Sequence, residues 1–535
     1  MATMVLSNIL GLFRNRFLAQ KIPSADLDTY LAAFRIPDLI FNLLILGAIS
    51  SAFIPIFTGF IRKNQQKEAW HIANSVINIA IVLLIVICGL LALFMPNLMP
   101  HIVPGFSALQ KTQTVNLSRI LLLTPLFFGL SYIFGGILNS FKRFIVYSLA
   151  PLVYNISIIL ATLFLADQYS VYGVAAGVVG GSFLHMMIQF PVVWKMGFRW
   201  KGVLDFRHKA VRRIGKLMLP RIVGLGANQI VLIIATFLAS MWVGNVTYFN
   251  FANDIQTFFS VVFGASFAIA IFPFFADYAA DNDQKKFRET FGLAAKQILY
   301  FIIPSSVLLI LLRVEIVRLI LGTGHYDWEA TINTANALGA FAIGVWAASL
   351  IQLLARAFYA FENTRTPAIV SVISTIFTII LSFVLSKLNI GVINIFGHTV
   401  STPLKAVGIA YAVSLGSILN ALILIIILKK QLGAINGKNF AITVFKYIFC
   451  SIIIGVLAQL SKNIIGNNVN MQTFFGVFAK AVGSILISAV VYIFLTYLLK
   501  CEELSAFIEV FKKKVTPPAD IPIDQKIDSG QSQES

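Results

Sequence analysis

Charge is what this chain has least of. Asp, Glu, Lys and Arg make up 12% of its 535 residues and hydrophobic residues 58%, where a soluble domain carries about 25% charge. With a mean hydropathy of +0.86, that scarcity excludes a soluble globular fold and implies an integral membrane protein. Cysteine numbers three, Cys88, Cys450 and Cys501, with no CxxC spacing, which excludes a disulfide framework and a thiolate metal site. Six scattered histidines form no ligand set, and each is read as a loop or packing residue. No cofactor and no metal are therefore expected. Polar stretches long enough for a soluble domain are also missing. A membrane glycosyltransferase or phosphatase would need clustered carboxylate, His or Arg motifs in a sizeable loop. The longest loop, KMGFRWKGVLDFRHKAVRRIGK, has one acid, Asp205, and reads as a basic surface element beside anionic lipid.

What is present is a series of apolar runs. A hydrocarbon core needs about 20 such residues per helix, and on that rule about fourteen spans are expected. They centre near residues 13, 45, 84, 129, 155, 183, 229, 262, 305, 346, 376, 416, 453 and 486. The first, MATMVLSNILGLFRNRFLAQK, holds two arginines and no small-residue cleavage site, so it reads as a span and not as a signal peptide. Acidic residues number 22 against 41 basic, a net charge of +19. Because the basic residues sit in short loops between spans, they are topology signals and no nucleic-acid partner is expected. Counted on alternate sides, about 25 Lys and Arg face one side and about five the other, which predicts both termini in the cytoplasm.

The chain also repeats. AFRIPDLIFNLLILGAISSAFIPIF aligns with NFANDIQTFFSVVFGASFAIAIFPFF, placing Phe34, Phe41, Gly47 and Ala48 on Phe251, Phe258, Gly264 and Ala265. GVAAGVVGGSFLHMMI, from Gly173, pairs in the same way with GIAYAVSLGSILNALI, from Gly408. An offset of six helices preserves orientation, so the expected fold is all-α with two pseudo-symmetric six-helix lobes, the usual architecture of alternating-access transporters. The expected boundaries are 1–200 for the first lobe, 201–435 for the second, 436–500 for an added helix pair and 501–535 for a partly disordered tail.

Charges inside spans are costly and usually face a polar cavity or one another. The candidates are Arg14 and Arg16, Asp28, Arg35 and Asp38, Arg221, Asp254 and Arg356. Arg14 and Arg16 stand about 200° apart on a helix and cannot share a face. Arg356 lies near a span end, where snorkelling suffices. Asp28 and Arg35, seven apart, do share a face, with Asp38 three beyond. Pro37 frees a carbonyl, and Gly47 and Pro55 follow it, so the second span is expected to bend and to line a cavity, with a salt-bridged structural helix as the alternative. Its repeat mate carries Asn253, Asp254, Gln256 and Thr257, polarity at one depth in both halves.

The run NILGLFRNRFLAQ…DTYLAAFRIPDLIFNLLILGAISSAFIPIF, together with RAFYAFENTRTP, resembles the MurJ/MviN lipid II flippases of the multidrug/oligosaccharidyl-lipid/polysaccharide exporter superfamily. The resemblance covers essentially the whole chain. It implies a V-shaped, MATE-like bundle with a central cavity, carrying undecaprenyl-pyrophosphate-linked peptidoglycan precursor by alternating access. It also implies a lipid-tail groove at the last two helices, and membrane lipids and cell-wall synthesis machinery as partners. Arg14 matches the arginine of the family's GxxR motif, Asp28 its acid at the start of the second span, and Arg35 the basic residue before its Ile-Pro. Elsewhere the chain departs: Asn8 and Asn15 replace an arginine and an aspartate, Phe41-Asn42 an Arg-Arg pair, and Leu46 a glutamate. Ala252-Asn253-Asp254 stands where relatives have Ala-Asp-Arg. On this reading Arg14, Arg35, Asp28, Arg221, Asn42, Asn253 and Asp254 form the substrate site. The family's sodium ligands fall on Ala235, Thr378 and Ser382, which supply no carboxylate, so sodium coupling is not expected. The alternatives are a flippase for another lipid-linked oligosaccharide and a MATE-like small-molecule exporter.

Overall fold

The computed structural model describes residues 2–46, 49–388, 393–395, 398–400, 404–433 and 437–504. The first half begins with α1 (Ala2–Lys21) and a broken second span: α2 (Ser24–Ala33), α3 (Arg35–Ile40), a π-helical turn at Phe41–Leu46, and α4 (Ile49–Arg62). It continues through α5 (Gln66–Ile102), α6 (Ala108–Leu121), α7 (Thr124–Ser140), α8 (Phe144–Met187) and α9 (Phe190–Lys195). The second half has α10 (Lys209–Ala239), α11 (Asn245–Phe259), a π-helical turn at Ser260–Ala265, α12 (Ser266–Ala280), α13 (Gln284–Leu311), α14 (Arg313–Leu321), α15 (Trp328–Ala360), α16 (Arg365–Lys387) and α17 (Lys405–Leu432). Between α16 and α17, β1 (Ile393–Ile395) and β2 (His398–Val400) form an antiparallel pair with Ile393 opposite Val400. Helices α18 (Gly437–Asn468) and α19 (Phe474–Leu498) follow. Residues 505–535, the expected tail, lie outside the described residues, as does Gly47.

Among the described residues, ten helices are long and apolar enough to cross a bilayer. Each of the fourteen expected span centres falls within a helical element, but two of them, near 155 and 183, share α8. There Ser170 has φ 47° and ψ −135°, and the chain reverses. The reversal is visible in the packing: a Cβ on Gly173 would stand 2.7 Å from the Leu165 carbonyl oxygen, one on Gly177 would collide with Ala161, and one on Gly181 would lie 3.1 Å from the Ser157 Cβ. Three glycines one turn apart thus form a seam on which two helix backbones meet, the close approach that small residues permit in a bilayer. The aligned segment of the second half repeats the device, with Gly408 against Leu385 and Gly416 against Thr378. The sequence repeat is therefore a repeated helical hairpin.

The other repeat is also structural. Phe41–Leu46 and Ser260–Ala265 are π-helical at nearly the same place in the alignment. Such turns widen the helix by one residue and recur where helices bend or bind. Pro37 is buried just after the break at Phe34, where the Asp38 amide donates to the Phe34 carbonyl oxygen at 2.7 Å. Pro55 is exposed within α4.

Buried apolar side chains gather in three cores. One is built from the first half, from Ile36 to Phe198, together with Ala210 and Ile214 at the start of α10, and one lies within the second half and α18–α19, from Ala268 to Leu504. The third draws on both halves, with Leu18, Val103 and Leu121 packed among Val246, Leu321 and Ala406. The halves thus share one core, and the start of α10 also enters the core of the first half.

The seam predicts that Gly177→Val destabilises the purified protein by about 1–3 kcal/mol through overpacking, read as a lower melting temperature in detergent. Gly89→Ala, where a Cβ meets nothing within 4 Å, should leave the melting temperature unchanged or raise it.

Candidate functional site

The two halves are joined along one face of α11. Thr247, Asn250 and Asp254 recur at spacings of three and four, so they lie on a single stripe of that helix. Each meets a polar residue of the first half. At the amino end, the carboxylate of Asp28 accepts from the Gly244 amide at 2.6 Å, the Thr247 amide at 2.8 Å and the Thr247 hydroxyl at 2.7 Å. Asp28 is fully buried and acts as an N-terminal cap supplied from another helix, satisfying donors that the first turn leaves open. One turn on, Arg35, 6% exposed, donates through Nε to the Thr236 hydroxyl at 2.5 Å and through Nη2 to Asn250 Oδ1 at 2.6 Å.

Beyond Arg35 the stripe opens into a polar cluster. Asn15 donates to Asp254 Oδ2 at 2.8 Å and accepts from Arg14 at 3.0 Å through Nη2 and 3.2 Å through Nε. Arg14 Nη1 donates weakly to Asn155 Oδ1 at 3.4 Å, and Nη2 lies 3.7 Å from Asp254 Oδ2. The side chains of Arg14 and Asp254 remain 24% and 43% exposed. Asp38 is half-buried and within electrostatic reach of Arg35, Arg14 and Asp254. The cluster thus holds two arginines and two acids, and the part-exposed guanidinium of Arg14 has its short contacts to the neutral Asn15 and only a long one to the acid Asp254.

The sequence reading is brought together only in part. Arg14, Arg35 and Asp254 converge, while Asp28 and Arg35 are buried and hydrogen-bonded to groups of the second half. Physically, each is the bonding partner that an α11 or α10 polar group needs in lipid. Asn42 donates to the Asp38 carbonyl oxygen at 2.8 Å within its own span. Asn253 is half-buried on α11, off the stripe. Arg221 falls on α10, and its side chain lies outside the described residues. Arg16 points away from Arg14, as the helical angle requires: it donates to the Leu319 carbonyl oxygen of α14 and lies over the Phe474 ring of α19 at 5.4 Å. Asn155 and Asn250 were missed. Asn155, a lone amide in the apolar run PLVYNISII, was the readable signal, since a buried amide in a span needs a partner.

Residues 23–482 match the family model for the lipid II flippase MurJ. The chain belongs to the MurJ family. A relative from Rickettsia prowazekii, described as a probable lipid II flippase MurJ, is 28% identical over 416 residues, covering 76% of this chain and 81% of the relative. Another, from Burkholderia cenocepacia and described as lipid II flippase MurJ, is 27% identical and covers 80% and 82%. Among solved structures, a MurJ in an inward closed conformation superposes with a TM-score of 0.74 at 24% identity, over 93% of this chain and 98% of the other. An inward-facing MATE multidrug transporter of the MOP superfamily gives 0.67 at 14% identity, over 80% and 95%. The fold is therefore shared by the MurJ family and by MATE transporters, and the family is one of multi-pass bacterial membrane transporters and not of catalysts.

The caps and the cluster predict different mutant behaviour. Asp28→Asn leaves an amide donor facing backbone donors, at a cost of about 1–3 kcal/mol, and should lower the melting temperature of the purified protein. Arg14→Ala should leave it within a degree or two.

Proposed function

We propose that this chain moves a polyprenyl-pyrophosphate-linked peptidoglycan precursor, lipid II, between leaflets of the bacterial inner membrane by alternating access. Membership of the MurJ family supports the substrate, and the repeated, bending spans support the mode of transport. The site residues of this reading are Arg14, Asp254, Asn15 and Asp38. The observation that carries them is the part-exposed guanidinium of Arg14, set between both halves and without a close carboxylate partner. Guanidinium meets phosphate oxygens bidentately, and a pyrophosphate would offer Arg14 a charged partner closer than Asp254, which lies 3.7 Å away. In this reading Asp254 holds the place of the anion until cargo arrives. Cargo then breaks the Arg14–Asn15–Asp254 link and frees the two halves to move.

The architecture of the proposal is fourteen crossings. Ten are the long apolar elements; α8 counts twice because it reverses at Ser170, and α1, the broken Ser24–Arg62 run and α10 complete the number. The shared core then closes the V on the outer side, with both termini cytoplasmic and α18–α19 as the added pair beside the cavity. Two further links support a role for that pair. Glu315 of α14 lies 3.2 Å from Lys462 of α18 and 3.1 Å from Lys480 of α19, and Arg16 ties α1 to α14 and α19. Motion of the cavity helix thus has a path to the pair.

The test is complementation of a flippase-depleted strain combined with a lipid II translocation assay. Wild type should restore growth and translocation. Arg14→Ala should abolish both at normal expression, since a charge-assisted hydrogen bond contributes about 1.5–3 kcal/mol, or roughly ten- to hundred-fold in binding. Growth without lipid II translocation would sink the reading, and efflux of cationic dyes in its place would favour the exporter.

A further inference from the structure

Behind the second half, away from Arg14, lies an apolar cavity of about 440 Å³. Its walls come from α13, α15, α17 and α18, through Phe291, Leu299, Trp346, Leu350, Val444 and Ile448, and its charged lining residue is Lys429. We propose that this cavity holds one acyl chain of an anionic phospholipid whose headgroup phosphate rests on Lys429.

Three observations commit it to that occupant. The first is size. An apolar cavity of about 150 Å³ takes one benzene, so at that packing 440 Å³ takes about eighteen carbons. That is one phospholipid acyl chain and only a fraction of an undecaprenyl tail. The second is length. Lining residues on α13 run from Phe291 to Ile303, which at 1.5 Å per residue is about 18 Å, close to one leaflet of a hydrocarbon core about 30 Å thick. The third is charge. Lys429 and Lys430 end α17, and Arg288 Nη1 lies 3.2 Å from where a Cβ on Gly433 would stand. None of these three cations forms a salt bridge among the described residues. Such a rim attracts an anionic headgroup, where a zwitterionic one gains little. The tail groove implied by the family lies at the last two helices; of these, α18 lines the cavity through Phe440, Val444 and Ile448, and α19 contributes no described residue to it.

Native mass spectrometry of the purified full chain tests this with dioleoyl phosphatidylglycerol and dioleoyl phosphatidylcholine as probes. Wild type should retain one phosphatidylglycerol at least ten-fold more strongly than phosphatidylcholine. Ile448→Trp, at a wall position 42% exposed and thus tolerant of a larger side chain, should lose that lipid while remaining monodisperse. Lys429→Gln should bind both lipids alike. Equal retention by wild type, or undiminished phosphatidylglycerol on Ile448→Trp, overturns the proposal. One-for-one displacement by undecaprenyl phosphate overturns it too, by making the cavity part of the cargo's path. Because the readout is binding without transport, failure here leaves the flippase reading standing.

Discussion

The carboxylate of Asp28 seated on the amino end of α11 is the contact on which the meeting of the two halves depends. Three hydrogen bonds from Gly244 and Thr247 fix its position, and in lipid neither side has water to turn to. Once that end is fixed, helical geometry sets the rest. Arg35, two turns after Asp28, comes level with Asn250, one turn after Thr247. Asp254 then falls where α1 presents Asn15 and Arg14. A buried cap thus sets the register of an open polar cluster two turns away.

That division explains what could be read in the sequence. Periodicity placed Asp28 and Arg35 on one face and Arg14 and Arg16 on different ones, and both hold. The repeats held as well, down to paired π-helical turns and glycine seams in the hairpins at Gly173 and Gly408. What periodicity does not contain is the identity of the facing element. Asp28 and Arg35 find their partners at Thr236, Gly244, Thr247 and Asn250, more than 200 residues away in the chain, and nothing local distinguishes a face that meets a helix from one that meets a cavity. Asn155 was passed over for the same reason. The two expected spans near 155 and 183 are recovered as the two arms of α8 on either side of Ser170, where Asp167, Gln168 and Ser170 punctuate the apolar runs.

Two styles of intramembrane charge pairing follow from burial. Glu315 with Lys462 and Lys480 is buried, with separations of 3.1–3.2 Å. Removing one member would leave charges stranded in a dry interior, which costs several kcal/mol. Such a link holds the added helix pair to α14 through any motion of the halves. Arg14 and Asp254 are half-open at 3.7 Å, in the range where solvent screening leaves an ion pair worth about 1 kcal/mol or less. A contact that weak can be made and broken within a transport cycle.

The composition of the weak pair also bears on how this chain differs from the relatives it resembles. The pattern that the resemblance implies has an aspartate after the GxxR motif and an arginine at the position of Asp254 on α11; with Asn15 and Asp254 here, the acid stands across the interface from Arg14 instead of beside it. An acid on the same helix would move with Arg14 and neutralise it in every state. An acid on the other half neutralises it only while the halves are closed, and separation of the halves leaves the guanidinium with Asn15, Asn155 and the half-buried Asp38 of its own half. On the proposed reading, one arginine then serves as both latch and receptor: its affinity for a pyrophosphate is highest in the open state. Binding there draws on the same charge that the closed state uses to hold the halves together.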